Sequence, residues 1–174
     1  TLPSFKPSEK EIEKVKSLIS KNTGGREGKT ILLNANCSDL LPLRRWPTEN
    51  FIELGKRILS DIQDSTIIIT GAPDEKDAAE KIAFAIGPKA RVFSLAGHTT
   101  MRELLPLYGL SNLIVSNDSG PCHIAALTEI SIVALFGPET SQLYSPLSSK
   151  SECISAGFAC SPCVNMLNHR FSPC

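Results

Sequence analysis

The sequence predicts an α/β fold, a Rossmann-like parallel sheet with helices on both faces. Three observations predict it. Short apolar runs recur at residues 30–35, 66–70, 113–115 and 132–136, uninterrupted as strands buried on both faces are. Segments with apolar residues at helical spacing lie between them, and strands alternating with helices imply parallel pairing. Polar, turn-forming loops follow the strands: Asn34 to Arg45, Gly71 to Glu75, Asn117 to Gly120 and Gly137 to Thr140. In a parallel sheet these loops converge on one edge, where ligands bind near the point at which strand order reverses.

Each element has a local cause. Ser8-Glu9-Lys10-Glu11 is a capping-box pattern, with Ile12, Val15, Leu18 and Ile19 at helical spacing behind it. That helix is expected to stop near Asn22-Thr23-Gly24-Gly25, and a polar run to Lys29 reads as a loop. Residues 1–28 therefore read as a leading helix and linker from an upstream region. Residues 30–35 form the first strand, and a long polar loop from Asn36 to Pro47 carries Arg44-Arg45-Trp46. Phe51, Leu54, Ile58 and Leu59 mark a helix from Thr48. The second strand, 66–70, is closed by Gly71-Ala72-Pro73. Asp74 is expected to cap the next helix, whose apolar side is Ala78, Ala79, Ile82 and Ile86 and which Gly87-Pro88 ends. Val92-Phe93 starts a short strand. Thr100-Met101-Arg102-Glu103 is a second capping box, opening a helix that Pro106 is expected to kink or shorten.

The central junction is Val115-Ser116-Asn117-Asp118-Ser119-Gly120-Pro121-Cys122-His123. Asn117 to Gly120 are turn formers, and Pro121 suits a first helical residue, whose N–H has no partner within a helix anyway. Ile124, Ala125 and Leu127 supply an apolar helix face. Such a junction offers backbone N–H groups and the positive end of a helix dipole to an anion, and His123 adds a donor or a charge. Many strand–turn–helix junctions bind nothing, and an early-helix histidine is often only a surface residue. A further strand is expected at 132–136 and a weak one around Cys153-Ile154. Residues 29–155 are the Rossmann-like domain and 156–174 a Cys-rich tail.

Composition excludes several classes. Eighteen basic and eighteen acidic residues balance, which argues against nucleic acid or an anionic membrane as main partner. No apolar run approaches a membrane span, and the start does not resemble a signal peptide. The chain begins at Thr1 without a methionine and ends on Cys174, which reads as a piece of a longer protein. Of six cysteines, Cys153, Cys160, Cys163 and Cys174 crowd the last 22 residues. Cys160-Ser161-Pro162-Cys163 has metal-ligand spacing, with Cys153 and Cys174 to complete four sulfurs and His169 as a substitute. The second half of such a site lacks paired spacing, so plain thiols in a loop near the cleft are the favoured reading.

No G-x-G-x-x-G follows the first strand, and no P-loop motif is present. The rim instead offers Ser38, Arg44, Glu75, Asp118, Ser119 and His123, with the helix start at Gly120. Arg44, His123 and backbone N–H groups suit phosphate oxygens. Glu75 suits the paired hydroxyls of a ribose. Asp118 would repel a phosphate, so it reads as a helix cap or as an acceptor for sugar hydroxyls. Solvated loop charges are the plainer fate for Arg44 and Glu75.

Asn117-Asp118-Ser119-Gly120-Pro121-Cys122-His123-Ile124-Ala125-Ala126 and Val133-Ala134-Leu135-Phe136-Gly137-Pro138-Glu139-Thr140 resemble the signature of glycosyltransferase family 9. Arg45-Trp46-Pro47, Gly71-Ala72-Pro73-Asp74-Glu75 and Leu95-Ala96-Gly97-His98-Thr99-Thr100 fall in the family's order, so the resemblance covers roughly residues 30 to 165. It implies the carboxy-terminal half of a GT-B glycosyltransferase, two Rossmann-like domains facing across a cleft. That half holds the nucleotide-diphosphate sugar, usually ADP-heptose, for transfer in lipopolysaccharide or surface-glycan synthesis. Carried over by position, Arg44 meets the donor diphosphate, Ser38 is a hydroxyl on the same loop, and Glu75 holds the ribose. Asp118, Ser119, Gly120 and His123 match the donor-sugar and diphosphate contacts. The first strand departs from the family's Pro-Gly-Ala ending with Asn34-Ala35-Asn36-Cys37, which gives the phosphate loop a different path.

The resemblance further implies inverting, metal-independent transfer in the cytoplasm, at the inner face of the bacterial inner membrane with a peripheral membrane contact. The general base and the lipid-linked or oligosaccharide acceptor belong to the missing amino-terminal domain, so this chain alone is expected to bind donor without catalysing transfer. A sugar-nucleotide epimerase of GT-B type and a non-catalytic module with a metal-binding tail are the alternatives. The base of the nucleotide depends on backbone contacts around Leu95 to Met101, which any residue can make.

Overall fold

The structure, a computed structural model, describes residues 6–37 and 41–163. Its centre is a six-stranded sheet in the order β3-β2-β1-β4-β5-β6, parallel throughout. The strands are β1 (Lys29–Asn34), β2 (Ser65–Ile69), β3 (Val92–Ser94), β4 (Leu113–Asn117), β5 (Ser131–Phe136) and β6 (Ser151–Ser155). This is the doubly wound Rossmann order, and the direction of winding reverses between β1 and β4. The expected fold class is the observed one.

Helices cover both faces because the strands are apolar on both. Ile31, Leu33, Ile67 and Ile69 point into a core shared with α2 (Thr48–Asp61) and α3 (Lys76–Ile86). Leu32, Ile68, Ile114 and Ile132, the alternate positions, point into a core with α1 (Glu9–Thr23), α4 (Met101–Gly109) and α5 (Gly120–Ala125). A four-residue α6 (Ser141–Tyr144) precedes β6 and was not expected.

The capping boxes at Ser8/Glu11 and Thr100/Glu103 both form. Val15 of α1 is fully buried in the second core, and Gly24 ends α1 in the left-handed conformation at φ 64°. Two local expectations are corrected. Asp74 does not cap α3: a short 3-10 turn, Pro73–Glu75, precedes that helix, and Glu75 accepts the Ala72 N–H at 2.6 Å. Pro106 lies inside α4, a helix of nine residues that continues three beyond it to Gly109. Pro121 is the second helical residue of α5, not the first, and that helix stops at Ala125, so Leu127 lies outside it.

Candidate functional site

The carboxyl ends of β1 and β4 meet at two asparagines. Asn117, fully buried at the end of β4, donates through Nδ2 to the Ala35 carbonyl at 3.0 Å and, more weakly, to that of Asn36 at 3.4 Å. Its Oδ1 accepts the Trp46 N–H at 2.8 Å. One side chain thus ties β4 to both ends of the loop that carries Arg44. Asn34, at the end of β1, donates to the carbonyl and hydroxyl of Thr70 at 3.2 and 3.1 Å, fixing β1 against the tip of β2. Arg45 Nη2 donates to the Cys37 carbonyl at 2.8 Å, closing the same loop from within. These polar groups satisfy one another where strands end and backbone partners run out.

Above them lies a cavity of about 800 Å³. Arg44 lines it from the 3-10 turn Pro42–Arg44 after β1, Glu75 from the turn after β2, and Ser119 and Gly120 from the start of α5. The turns approach closely: a Cβ on Gly97, whose φ is 72°, would lie 3.1 Å from Pro73 Cα, so glycine lets the loop after β3 lie against that of Glu75. Asn36 Nδ2, Arg44 Nε and Tyr108 Oη, all from residues lining this cavity, are buried and make no hydrogen bond among the described residues. Unmatched buried donors are costly, and each calls for a partner such as an ordered water, a ligand or a shifted neighbour.

Arg44, Glu75, Ser119 and Gly120 are therefore brought together. Asp118 and His123 come from the same junction but do not line the cavity; they face each other, His123 Nε2 standing 3.9 Å from Asp118 Oδ1. Asp118 is only 3% exposed, and burial pushes its carboxyl above the ordinary value against the opposing pull of Arg44 and His123. It does not cap α5: the cap position is Ser119, and no side chain bonds there. Ser119 Oγ instead donates to the Asn117 carbonyl at 3.1 Å. The Cys122 thiol donates to the Ser119 carbonyl at 2.9 Å, and burial pushes its pKa up to about 11, so it packs as a neutral thiol. Ser38 lies outside the described residues.

The tail folds back on the loop after β5. Ser161 Oγ donates to the Gly137 carbonyl at 2.7 Å and the Cys163 N–H to that of Pro138 at 2.9 Å. Cys153, Cys160 and Cys163 are free thiols. Among the described residues no group of three or more His, Cys, Asp or Glu is placed to hold a metal ion. Cys174 and His169 lie outside them.

The sequence reading missed Asn34, Asn117, Tyr108 and the pair Lys14–Glu103, which lines the cavity from α1 and α4. A polar side chain closing an apolar strand was the available signal for the asparagines. The others depend on contacts across as many as 89 positions of chain, such as Lys14 Nζ to Glu103 Oε1 at 2.6 Å.

A family model described as glycosyltransferase family 9 (heptosyltransferase) matches residues 3–171. The lipooligosaccharide heptosyltransferase 2 of Haemophilus influenzae is 32% identical over 115 residues, 65% of this chain and 33% of that protein. A solved structure of E. coli ADP-heptose lipopolysaccharide heptosyltransferase II superposes with a TM-score of 0.75 at 28% identity, over 88% of this chain and 45% of that one. The E. coli heptosyltransferase WaaC with ADP shares the fold, with a TM-score of 0.63 at 20% identity over 82% of this chain and 42% of that one. The matches span between 25% and 44% of the length of the curated relatives.

Proposed function

The chain belongs to glycosyltransferase family 9, and from that premise we propose that it is the donor-binding, carboxy-terminal half of a GT-B enzyme that transfers heptose from ADP-heptose. The observation that carries this reading is the cavity at the strand ends, where a guanidinium and a carboxylate stand on separate loops of one ligand-sized space. Arg44, its Nε buried without a partner, is suited to a diphosphate. Glu75 keeps one carboxylate oxygen on Ala72 and offers the other to the paired hydroxyls of a ribose. Asp118, desolvated and beside His123, is an acceptor for hydroxyls of the donor sugar.

In the whole enzyme a base on the other half takes the proton of an acceptor hydroxyl. The oxygen attacks the anomeric carbon in line, inverting it, and the diphosphate leaves with the bonding electrons. Arg44 and the Gly120 N–H, on the cavity wall, with His123 on the adjoining α5, would stabilise that developing charge, which is the role a divalent cation plays elsewhere, so transfer is expected without a metal. The acceptor is a lipid-linked or oligosaccharide core met at the cytoplasmic face of the inner membrane. The membrane contact proposed there is peripheral; among the described residues no helix is long and apolar enough to cross a membrane.

Calorimetric titration of the chain with ADP, UDP and GDP tests the donor assignment. ADP is expected to bind most tightly, and His123→Ala and Glu75→Ala each to weaken it by about 1–3 kcal/mol, the range for a lost charge-assisted hydrogen bond. Tighter binding of UDP or GDP would overturn the ADP assignment; no binding of any nucleotide would overturn the donor-domain reading.

A further inference from the structure

The tail after β6 carries a motif that the donor site leaves unused, Cys160-Ser161-Pro162-Cys163. We propose that Cys160 and Cys163 form a thiol–disulfide site, closed by exchange with a small-molecule disulfide, and that closure loosens the turn that carries Arg44. Neither cysteine lines the donor cavity. The effect on nucleotide affinity rests on the donor-binding reading above; the disulfide itself does not.

Both thiols are free, and both border one pocket of about 190 Å³. Cys160 is exposed and Cys163 half-buried, so a soluble reagent meets Cys160 first, with the second thiol three residues on. The other described cysteines lack this arrangement. Cys37 and Cys122 are buried, and Cys153 stands on β6, where burial pushes its thiol up. Thiol reactivity follows exposure and thiolate content, so exchange selects the pair in the tail.

The pair sits on a held loop. The Ser161 N–H donates to the Phe158 carbonyl at 2.9 Å, which turns the chain at Cys160. Ser161 Oγ and the Cys163 N–H then tie the loop to the carbonyls of Gly137 and Pro138. Gly137 in turn abuts the turn after β1: a Cβ there would lie 3.2 Å from the Leu43 carbonyl oxygen, and Leu43 borders the same pocket as the thiols. Leu43 and Arg44 are neighbours in the turn Pro42–Arg44, and Arg44 lines the donor cavity. A continuous set of contacts therefore runs from the two thiols to the guanidinium.

Closure is thiol–disulfide exchange. The Cys160 thiolate attacks one sulfur of the reagent, whose S–S bond breaks and releases one thiolate. The Cys163 thiolate attacks the Cys160 sulfur of that mixed disulfide and releases the second. The two cysteines give up two protons and two electrons, and the reagent leaves as two thiols. A disulfide holds its sulfurs about 2.05 Å apart with a torsion near ±90°, so two free thiols reach it only if the loop draws in. The Ser161 hydroxyl and the Cys163 N–H move with the loop, and their hold on Gly137 and Pro138 weakens. Excess thiol reverses each step, so a reducing compartment keeps the pair open.

The test treats the full chain with oxidised glutathione and reads it by mass mapping of disulfides, by Trp46 emission and by ADP titration. Trp46 is the protein's single tryptophan, two residues after Arg44 and edge-on to Phe51, so its emission reports on this loop without any nucleotide. The expected results are a Cys160–Cys163 disulfide, a shifted emission, and ADP bound about 3–10-fold more weakly, the worth of one hydrogen bond. Excess dithiothreitol is expected to reverse all three. The double variant Cys160→Ser/Cys163→Ser should keep the emission and affinity of the reduced chain after the same treatment, whereas Cys153→Ser should respond as wild type does. A disulfide through Cys153 or Cys174, a mixed disulfide that does not close, or no disulfide overturns the site. A Cys160–Cys163 disulfide with Trp46 emission unchanged overturns the link to the Arg44 turn, as does unchanged affinity in a chain that binds ADP. A reduced chain that binds no ADP brings down the donor-binding reading, while the mapped disulfide and Trp46 emission still decide this inference.

Discussion

On the face of the sheet covered by α2 and α3, helices press to the limit of contact. A Cβ on Gly55 of α2 would lie 2.6 Å from Ile86 Cδ1 of α3, and the core there is built of Ile, Leu, Val, Phe and Ala side chains. On the face covered by α1, α4 and α5, the core includes a phenol and a thiol, and beside it lie a buried glutamate and a cavity of about 800 Å³. The same apolar strands supply both faces, so the helices make the difference. Close packing commits the first face to stability, because dense interiors tolerate no loss of volume. Looser, polar packing leaves the second able to take a ligand.

The largest effect expected from this contrast is on the tight face. Ile67 is fully buried among the residues of α2 and α3, and Ile67→Ala should cost about 2–5 kcal/mol of stability through lost burial and the cavity left behind. Denaturant unfolding reads the loss, while nucleotide affinity of the folded chain should hold. Tyr108→Phe, at an equally buried position on the other face, should leave stability unchanged or raise it, because it deletes an unmatched hydroxyl. Comparable losses at both positions would dissolve the comparison.

A smaller loss, shared between stability and binding, is expected where the faces meet at the strand ends. Asn117→Ala strands the Trp46 N–H and the Ala35 carbonyl, at about 1–3 kcal/mol for an unmatched buried group, and frees the loop carrying Arg44. Denaturant midpoint and ADP affinity should fall together. Affinity unchanged at reduced stability would show that Asn117 supports the sheet alone.

What the sequence made legible follows the same division. Strands were readable because Ile31 to Leu33 and Ile67 to Ile69 are apolar at consecutive positions, which only a sheet covered on both sides demands. Capping boxes were readable because Ser8 and Glu11, or Thr100 and Glu103, lie within one turn of each other. The rim residues Arg44, Glu75 and Gly120 were readable because loops after parallel strands converge. Composition does not separate Asp74 from Glu75 as the residue before α3, because one residue's shift of a 3-10 turn leaves no trace in it. Asn117 offered a signal only as a polar side chain closing an apolar strand, whereas Tyr108 and Lys14 were not readable as cavity residues, since their meaning arises only when segments as far apart as α1 and α4 are brought together.

Acid should act on the seam of the open face. The hydrogen bond from Lys14 holds the Glu103 carboxyl below the ordinary value near 4.5, with help from the Thr100 N–H. A folded-state pKa below the unfolded one stabilises the fold above that ordinary value, and the contribution is lost as pH falls through the folded value. Thermal unfolding followed below pH 4.5 should therefore show a loss that is smaller in Glu103→Gln than in wild type. Parallel pH profiles for the two proteins would show that the pair contributes nothing there.

The smallest expected effect is a gain. Burial raises the Asp118 carboxyl above its ordinary value near 3.8, so the folded chain holds that proton more tightly than the unfolded one. Stability from this group is thus full below the ordinary value and declines as pH rises through the raised folded value, which leaves neutral pH on the unfavourable side. Asp118→Asn removes the charge while keeping the shape, so it should raise the melting temperature at pH 7 and leave it nearly unchanged at pH 3. The same variant loses the negative partner 3.9 Å from His123 and the acceptor proposed for the donor sugar, so ADP-sugar affinity should fall more than ADP affinity. Natural retention of a destabilising carboxylate is what a binding role predicts, since stability alone would favour the amide. A lower melting temperature at pH 7 in Asp118→Asn would mean that the carboxylate supports the junction after β4 itself, and the open face would then be as structural as the closed one.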